Sequence, residues 1–105
     1  MDDQYAFLSG LVAADFPAGI EVLGDIAAET RAVLETIGNI LEELQLQKDR
    51  IVKVEVHLSD LDDFDAMDAA YREFFDGRDL PARTTVESPR LFGGSKVEIT
   101  CQVKL

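Results

Sequence analysis

Pro81-Ala82-Arg83-Thr84-Thr85-Val86 and, past a Gly93-Gly94 turn, Lys96-Val97-Glu98-Ile99-Thr100 both alternate with the period of a β-strand. Arg83, Thr85 and Glu87 fall on one face of the first strand. Lys96, Glu98 and Thr100 form the polar face of the second. The spacing predicts two neighbouring strands across which an arginine and a glutamate can meet. Its ordinary use is a surface ion pair contributing less than about 1 kcal/mol. A guanidinium fork beside a carboxylate also suits a small keto or imino acid. The fork holds the substrate carboxylate, and the glutamate handles water or protons.

Working outward, Tyr5 to Val12 fits a short strand, and Asp15-Phe16-Pro17-Ala18-Gly19 reads as the turn after it. Ile26, Thr30, Val33, Leu34, Ile37, Ile40, Leu41 and Leu44 then recur at helical spacing, with Asp25 as N-cap. The apolar stripe needs a flat partner. Ile51 to Leu58 supplies it, with Val52, Val54, Val56 and Leu58 directed inward and Lys53, Glu55 and His57 outward. A second helix from Asp62 or Asp63 directs Phe64, Met67, Tyr71, Phe74 and Phe75 into the core, which is packing rather than an aromatic cofactor box. Gly77 ends it, and Pro81 blocks a restart. The order strand, helix, strand, helix, strand, strand predicts an α+β fold, a mixed sheet with two helices packed on one face. Residues 1–105 form a single domain, long enough to fold without staples. The opposite sheet face carries Ile51 among mixed polar positions, which predicts an oligomer.

With 21 acidic against 10 basic side chains the net charge is −11, so phosphate backbones repel the chain, and nucleic acid is excluded as a partner. The acidic stretch from Asp60 to Asp68 lacks the sixth-position glycine and alternating ligands of a calcium loop. It reads instead as helix capping, and no metal is expected. The lone Cys101 alternates with Val97, Ile99 and Val103 on an apolar face, so it is a small buried hydrophobe. A single unpaired cysteine, no signal peptide in Met1-Asp2-Asp3-Gln4 and no membrane-spanning run together predict a cytoplasmic protein. His57, the only histidine, has no carboxylate or cysteine at ligand spacing within its strand. It reads as solvated or as a subunit contact.

Pro81-Ala82-Arg83, Val86, Arg90-Leu91 and Val97-Glu98-Ile99 resemble the C-terminal signature of the Rid family, the YjgF-type reactive intermediate deaminases. The likeness continues through Asp49 to Val54, Asp63 to Phe75 and Phe7-Leu8-Ser9-Gly10, and so covers nearly the whole chain. The resemblance implies a chorismate-mutase-like fold and a homotrimer with a pocket in each subunit cleft. It implies hydrolysis of 2-imino or enamine acids to 2-keto acids and ammonia, with no cofactor. In it Arg83 holds the substrate carboxylate, Glu98 positions the attacking water, and the Ser9-Gly10 backbone approaches the ligand, where glycine permits close contact. Thr85 stands where deaminating members often carry cysteine. Asp68 stands where they carry a pocket asparagine, and it brings negative charge toward a carboxylate ligand unless turned away or protonated. Thr84 and Pro89 are unusual for the signature. Only Met1 to Gln4 precede the first strand, where the family has a pocket tyrosine, so a more open cleft is expected. The alternative to an imine deaminase is a trimeric protein that binds a small carboxylate, such as a keto acid, without turnover.

Overall fold

The computed structural model describes residues 4–105. The signal-peptide reading of Met1 to Gln4 therefore rests mainly on residues outside the described ones. The elements are β1 (Tyr5–Val12), a short α1 (Pro17–Ile20), α2 (Ile26–Glu43), β2 (Ile51–Leu58), α3 (Phe64–Phe75), β3 (Ala82–Glu87) and β4 (Val97–Lys104). They form one four-stranded mixed sheet in the order β1-β4-β2-β3, with α2 and α3 packed on one face. The expected α+β architecture is therefore present.

The expectation that β3 and β4 are neighbours is not met. β4 runs antiparallel to both β1 and β2, while β3 pairs parallel with the far edge of β2. The cause is the β2-α3-β3 crossover. A helix connecting parallel strands packs back on the sheet and places the second strand beside the first. β2 therefore separates the arginine strand from the glutamate strand.

The core follows from the period-two alternation of β2 and β4. Val54, Val56 and Leu58 with Val97, Ile99, Cys101 and Val103 are buried against Val33, Leu34, Ile37 and Leu41 of α2 and Met67, Tyr71 and Phe75 of α3. Burying one such aliphatic side chain contributes about 1.5–3 kcal/mol. α2 begins where expected, with the Ala28 amide donating to the Asp25 carboxylate. Its expected stripe ends early, since Ile40 is only half-buried and Leu44 lies exposed at the C-cap. α3 ends as the chain turns left-handed at Asp76 and Gly77.

Alternation breaks in two places. A register shift between Ile51 and Lys53 turns Ile51 into the core at 4% exposure and leaves Val52 at 37%, the reverse of the expected arrangement. A bulge carries two residues against one, so each residue before it changes face. A second shift lies between Leu8 and Leu11 in β1. The stretch expected as a turn after β1 winds into α1, where Gly19 is required because a Cβ there would collide with the Ala13 carbonyl oxygen.

Glu29 is fully buried, yet it is satisfied. Its carboxylate accepts from the amides of Gly24 and Lys96, both at 2.8 Å, tying the start of α2 to the start of β4. Removing an acceptor from amides beside the core leaves them unpaired. Glu29→Ala should lower unfolding stability by about 3 kcal/mol in urea titration, and Glu29→Gln, which keeps one acceptor oxygen, by about half of that. Equal stability of Glu29→Ala and the parent protein would show that the clamp contributes nothing.

Candidate functional site

Arg83 and Thr85 pair in register with Val54 and Val56 of β2 and so inherit their helix-facing parity at the edge of the sheet. The Arg83 guanidinium lies 4.5 Å from the Tyr71 ring centre and 5.3 Å from that of Phe64. Stacking on two rings orients the fork and keeps it largely shielded. Its Nη1 donates to Asp68 Oδ1 at 2.7 Å, and Arg72 Nε donates to the other carboxylate oxygen at 2.8 Å. Asp68 and Arg83 are mostly shielded, with side chains 19% and 16% exposed, whereas Arg72 is exposed. Burial pushes the Asp68 carboxyl upward, but hydrogen bonds from Arg72 and Arg83 and their charges outweigh it, so it is held below the usual range. Asp68 is therefore neither turned away nor protonated; it is ionised and clamped, and Arg72 offsets its charge.

Two hydroxyls at this cluster are orphaned. Tyr71 Oη and Thr85 Oγ1 are buried without a hydrogen-bond partner. Burial pushes the Tyr71 hydroxyl up to about 12, against the opposing Arg83 charge, so it stays protonated as a donor. Buried polar groups are nearly always paired, so these two are exceptions.

Glu98 lies on the other side of the sheet, between the buried Val97 and Ile99. Its carboxylate rests against Gly10, where an added Cβ would come within 2.5 Å of Oε1. Gly10 and Ser9 are exposed within the irregular part of β1. The candidate residues thus divide in one chain: Arg83 and Thr85 on the helix-facing side of β3 with Asp68 on α3, and Gly10 against Glu98 on the open face, with Ser9 exposed beside Gly10.

The open face also holds a contact that sequence reasoning missed. His57 Nδ1 lies 2.7 Å from Ser88 Oγ, and Nε2 lies 2.8 Å from Glu55 Oε1. Glu55 is two residues away in the same strand, so period-two spacing places it on the same face, a signal the ligand-spacing search passed over. Ser88 arrives from beyond β3 and could not be paired without the topology. His57 is thus hydrogen-bonded at both ring nitrogens rather than simply solvated.

Cys101 is buried, which pushes its thiol up to about 12 and leaves it no reactive thiolate. A cavity of about 450 Å³ between α2 and α3, bordered by Leu34, Gly38, Lys48 and Phe74, contains none of the candidate residues. A smaller one of about 140 Å³ lies on the open face beside Phe7, Lys53, Glu55 and Thr100. No helix among the described residues is long and apolar enough to cross a membrane.

Known proteins share this sequence pattern and fold. A sequence profile of the family described as Endoribonuclease L-PSP matches residues 2–105. The chain is 42% identical over 88 residues to a RutC family protein of Pyrococcus abyssi, spanning 84% of this chain and 68% of that protein. It is 34% identical over 97 residues to a Mus musculus protein named 2-iminobutanoate/2-iminopropanoate deaminase, spanning 92% of this chain and 71% of that one. The fold superposes on the crystal structure of E. coli TdcF with bound serine with a TM-score of 0.88 at 29% identity, covering 100% of this chain and 84% of the other.

The clamp on Asp68 makes a signed prediction about pH. A carboxyl whose folded value is depressed stabilises the protein above its unfolded value, and that contribution is lost as pH falls through the folded value. The stability difference between the parent protein and Asp68→Asn should therefore be constant near neutrality, shrink below about pH 4 and vanish in stronger acid. A difference unchanged from pH 7 to pH 3 in denaturant titrations would show that the ion pairs do not stabilise the fold.

Proposed function

Because the chain belongs to the endoribonuclease L-PSP family, the group also called Rid, YjgF and RutC, we propose that it is a hydrolytic deaminase of small 2-imino acids whose site is shared between two copies. One observation carries the reading: Arg83 and Glu98 lie on opposite sides of one sheet with β2 between their strands. A small ligand cannot bridge them through the sheet. If copies pack in a closed ring with the β3 edge of one against the open face of the next, the Arg83 group of one meets the Glu98 group of its neighbour, and a homotrimer is the assembly proposed. The exposure of Phe7 at 60% and Val86 at 37% on that face supports such packing.

In this reading the substrate carboxylate takes the free donors of the Arg83 fork, and the Thr85 and Tyr71 hydroxyls meet its remaining acceptors. Glu98 of the neighbouring copy orients a water against the imine carbon and receives its proton as the C–O bond forms. The resulting carbinolamine expels ammonia to leave the 2-keto acid. Acid-base help of this kind contributes about 10²–10⁴-fold, and holding water and imine together adds more. The names of the mouse, rat and human relatives support the reaction class, and the serine bound to E. coli TdcF supports a small carboxylate ligand. A second reading, keto-acid binding without turnover, is favoured by Asp68, which occupies part of the fork.

Ammonia release from 2-iminobutanoate generated in situ by an amino-acid oxidase tests the reaction, and light scattering tests the trimer. Arg83→Lys should raise KM about tenfold or more through loss of the fork, whereas Glu98→Gln should lower kcat with keto-acid affinity retained. Mixing and reassembling inactive Arg83→Ala and Glu98→Gln chains should restore about a quarter of the sites, because some then take the intact residue from each copy. A monomeric mass, or hybrids with no recovered activity, would overturn the shared site. Keto-acid binding with no hydrolysis would select the second reading.

A further inference from the structure

The groove between α2 and α3 contains none of the candidate residues and lies on the helix layer, away from the open face that carries Glu98. Its floor is apolar and recessed. Leu34, Leu41 and Ala70 are at most 2% exposed, and Leu46 and Phe74 are half-buried beside them. Lys48 closes one end, its ammonium 4.0 Å from the centre of the Phe74 ring and donating to the Phe74 carbonyl. The space of about 450 Å³ falls within the range of small-molecule pockets.

Gly38 gives the groove its depth. It stands in the interior of the 18-residue α2, where every residue but proline is a better helix former. Its backbone is not left-handed, and a Cβ there would lie 3.5 Å from Phe74 Cε1, an ordinary contact. Neither conformation nor packing calls for glycine, so what it supplies is open space beside the Phe74 ring.

The rim decides which ligand suits. Glu35 and Glu42 stand three residues before Gly38 and four after it, its neighbours on the helix surface, and both line the groove. Neither carboxylate has a hydrogen-bond or ion-pair partner among the described residues. Arg31, one turn before Glu35, reaches instead across to Glu73 of α3 at 3.7 Å. The rim thus holds two cations, Arg31 and Lys48, against three carboxylates, and a single positive charge neutralises it. The net charge of −11 on the whole chain favours the same sign of ligand.

We propose that this groove binds a small protonated amine with an aromatic or branched aliphatic body. The body lies over Gly38 against Phe74, and the ammonium lies between Glu35 and Glu42. A recessed floor between two helices suits a narrow apolar body rather than the broad surface a folded partner presents. Burial of that body supplies the hydrophobic gain, and two carboxylates that no other group uses add charge-assisted hydrogen bonds. A carboxylate ligand meets the same two groups as repulsion. The groove and the Arg83 group therefore take ligands of opposite sign, and the proposal is independent of the deaminase reading.

Phenethylammonium is the probe, titrated into the full chain and followed by amide NMR. Saturable shifts centred on Gly38, Asn39, Lys48 and Phe74 are expected. The uncharged 2-phenylethanol should bind about tenfold more weakly, and phenylacetate not at all. Replacing both carboxylates, Glu35→Gln with Glu42→Gln, keeps their shape and should lower affinity for the amine about tenfold. Gly38→Leu should abolish binding by filling the groove. Gly38→Ala should weaken binding yet raise the thermal midpoint, because alanine is the better helix former. A lower midpoint for Gly38→Ala would show that glycine serves packing, and that overturns the proposal. Unchanged affinity in Gly38→Leu, equal binding of 2-phenylethanol, or shifts spread over the acidic surface without saturation overturn it as well. If a lysine-bearing apolar peptide binds in the groove and the free amine does not, the occupant is a partner protein and the small ligand is ruled out.

Discussion

Everything else in the structure depends on the sealing of one sheet face by α2 and α3. The aliphatic sets of β2 and β4 are buried almost completely, and because side chains alternate, a slip of one residue would exchange the whole set with its polar neighbours. Register is therefore fixed by the core. Glu98 occupies the open face because Val97 and Ile99 must occupy the other, and no local contact of its own is needed to put it there. The same parity, carried from β2 to β3 by parallel pairing, turns Arg83 and Thr85 beneath the helix layer. Packing alone has thus separated the cationic group from the carboxylate.

Strands and helices were legible wherever one period ran unbroken. The limits of β1 and β2 and the cap at Asp25 match the expectation because hydrophobic spacing and a short polar cap are local signals. The errors lie where a local pattern has two solutions. Ile51-Val52 offers two β-branched residues in succession, and only the bulge decides which is buried. Placing β3 beside β4 followed chain order, but the intervening helix between β2 and β3 carried the better signal: a crossover of that length makes a parallel neighbour.

The candidate residues were legible as types and not as partners. Arg83 and Asp68 do meet, whereas Gly10 and Glu98 meet elsewhere. Arg72 was passed over although it stands four residues after Asp68 on one helix, a spacing that brings a carboxylate and a guanidinium together. The pairing of His57 with Glu55 was equally visible as an i, i+2 relation in a strand. Ser88 was not, because a serine after a strand end gains a partner only when the strand order is known.

Asp68 gives the cationic group a character that an asparagine would not. The cluster holds two arginines against one aspartate in a chain whose total charge is −11, so it is a local positive site on a negative molecule. The fork commits Nη1 to Asp68. A carboxylate entering such a site gains charge-assisted hydrogen bonds but meets a second carboxylate close by, and the two effects oppose each other. Arg72 weakens the repulsion by drawing on the far oxygen of Asp68. The hydroxyls of Thr85 and Tyr71 are buried without a hydrogen-bond partner. A ligand offering only a carboxylate uses the fork alone. In the proposed binding role, one with a second acceptor placed to reach those hydroxyls gains where the first does not, so that proposal assigns selectivity at this cluster to the orphaned hydroxyls more than to charge.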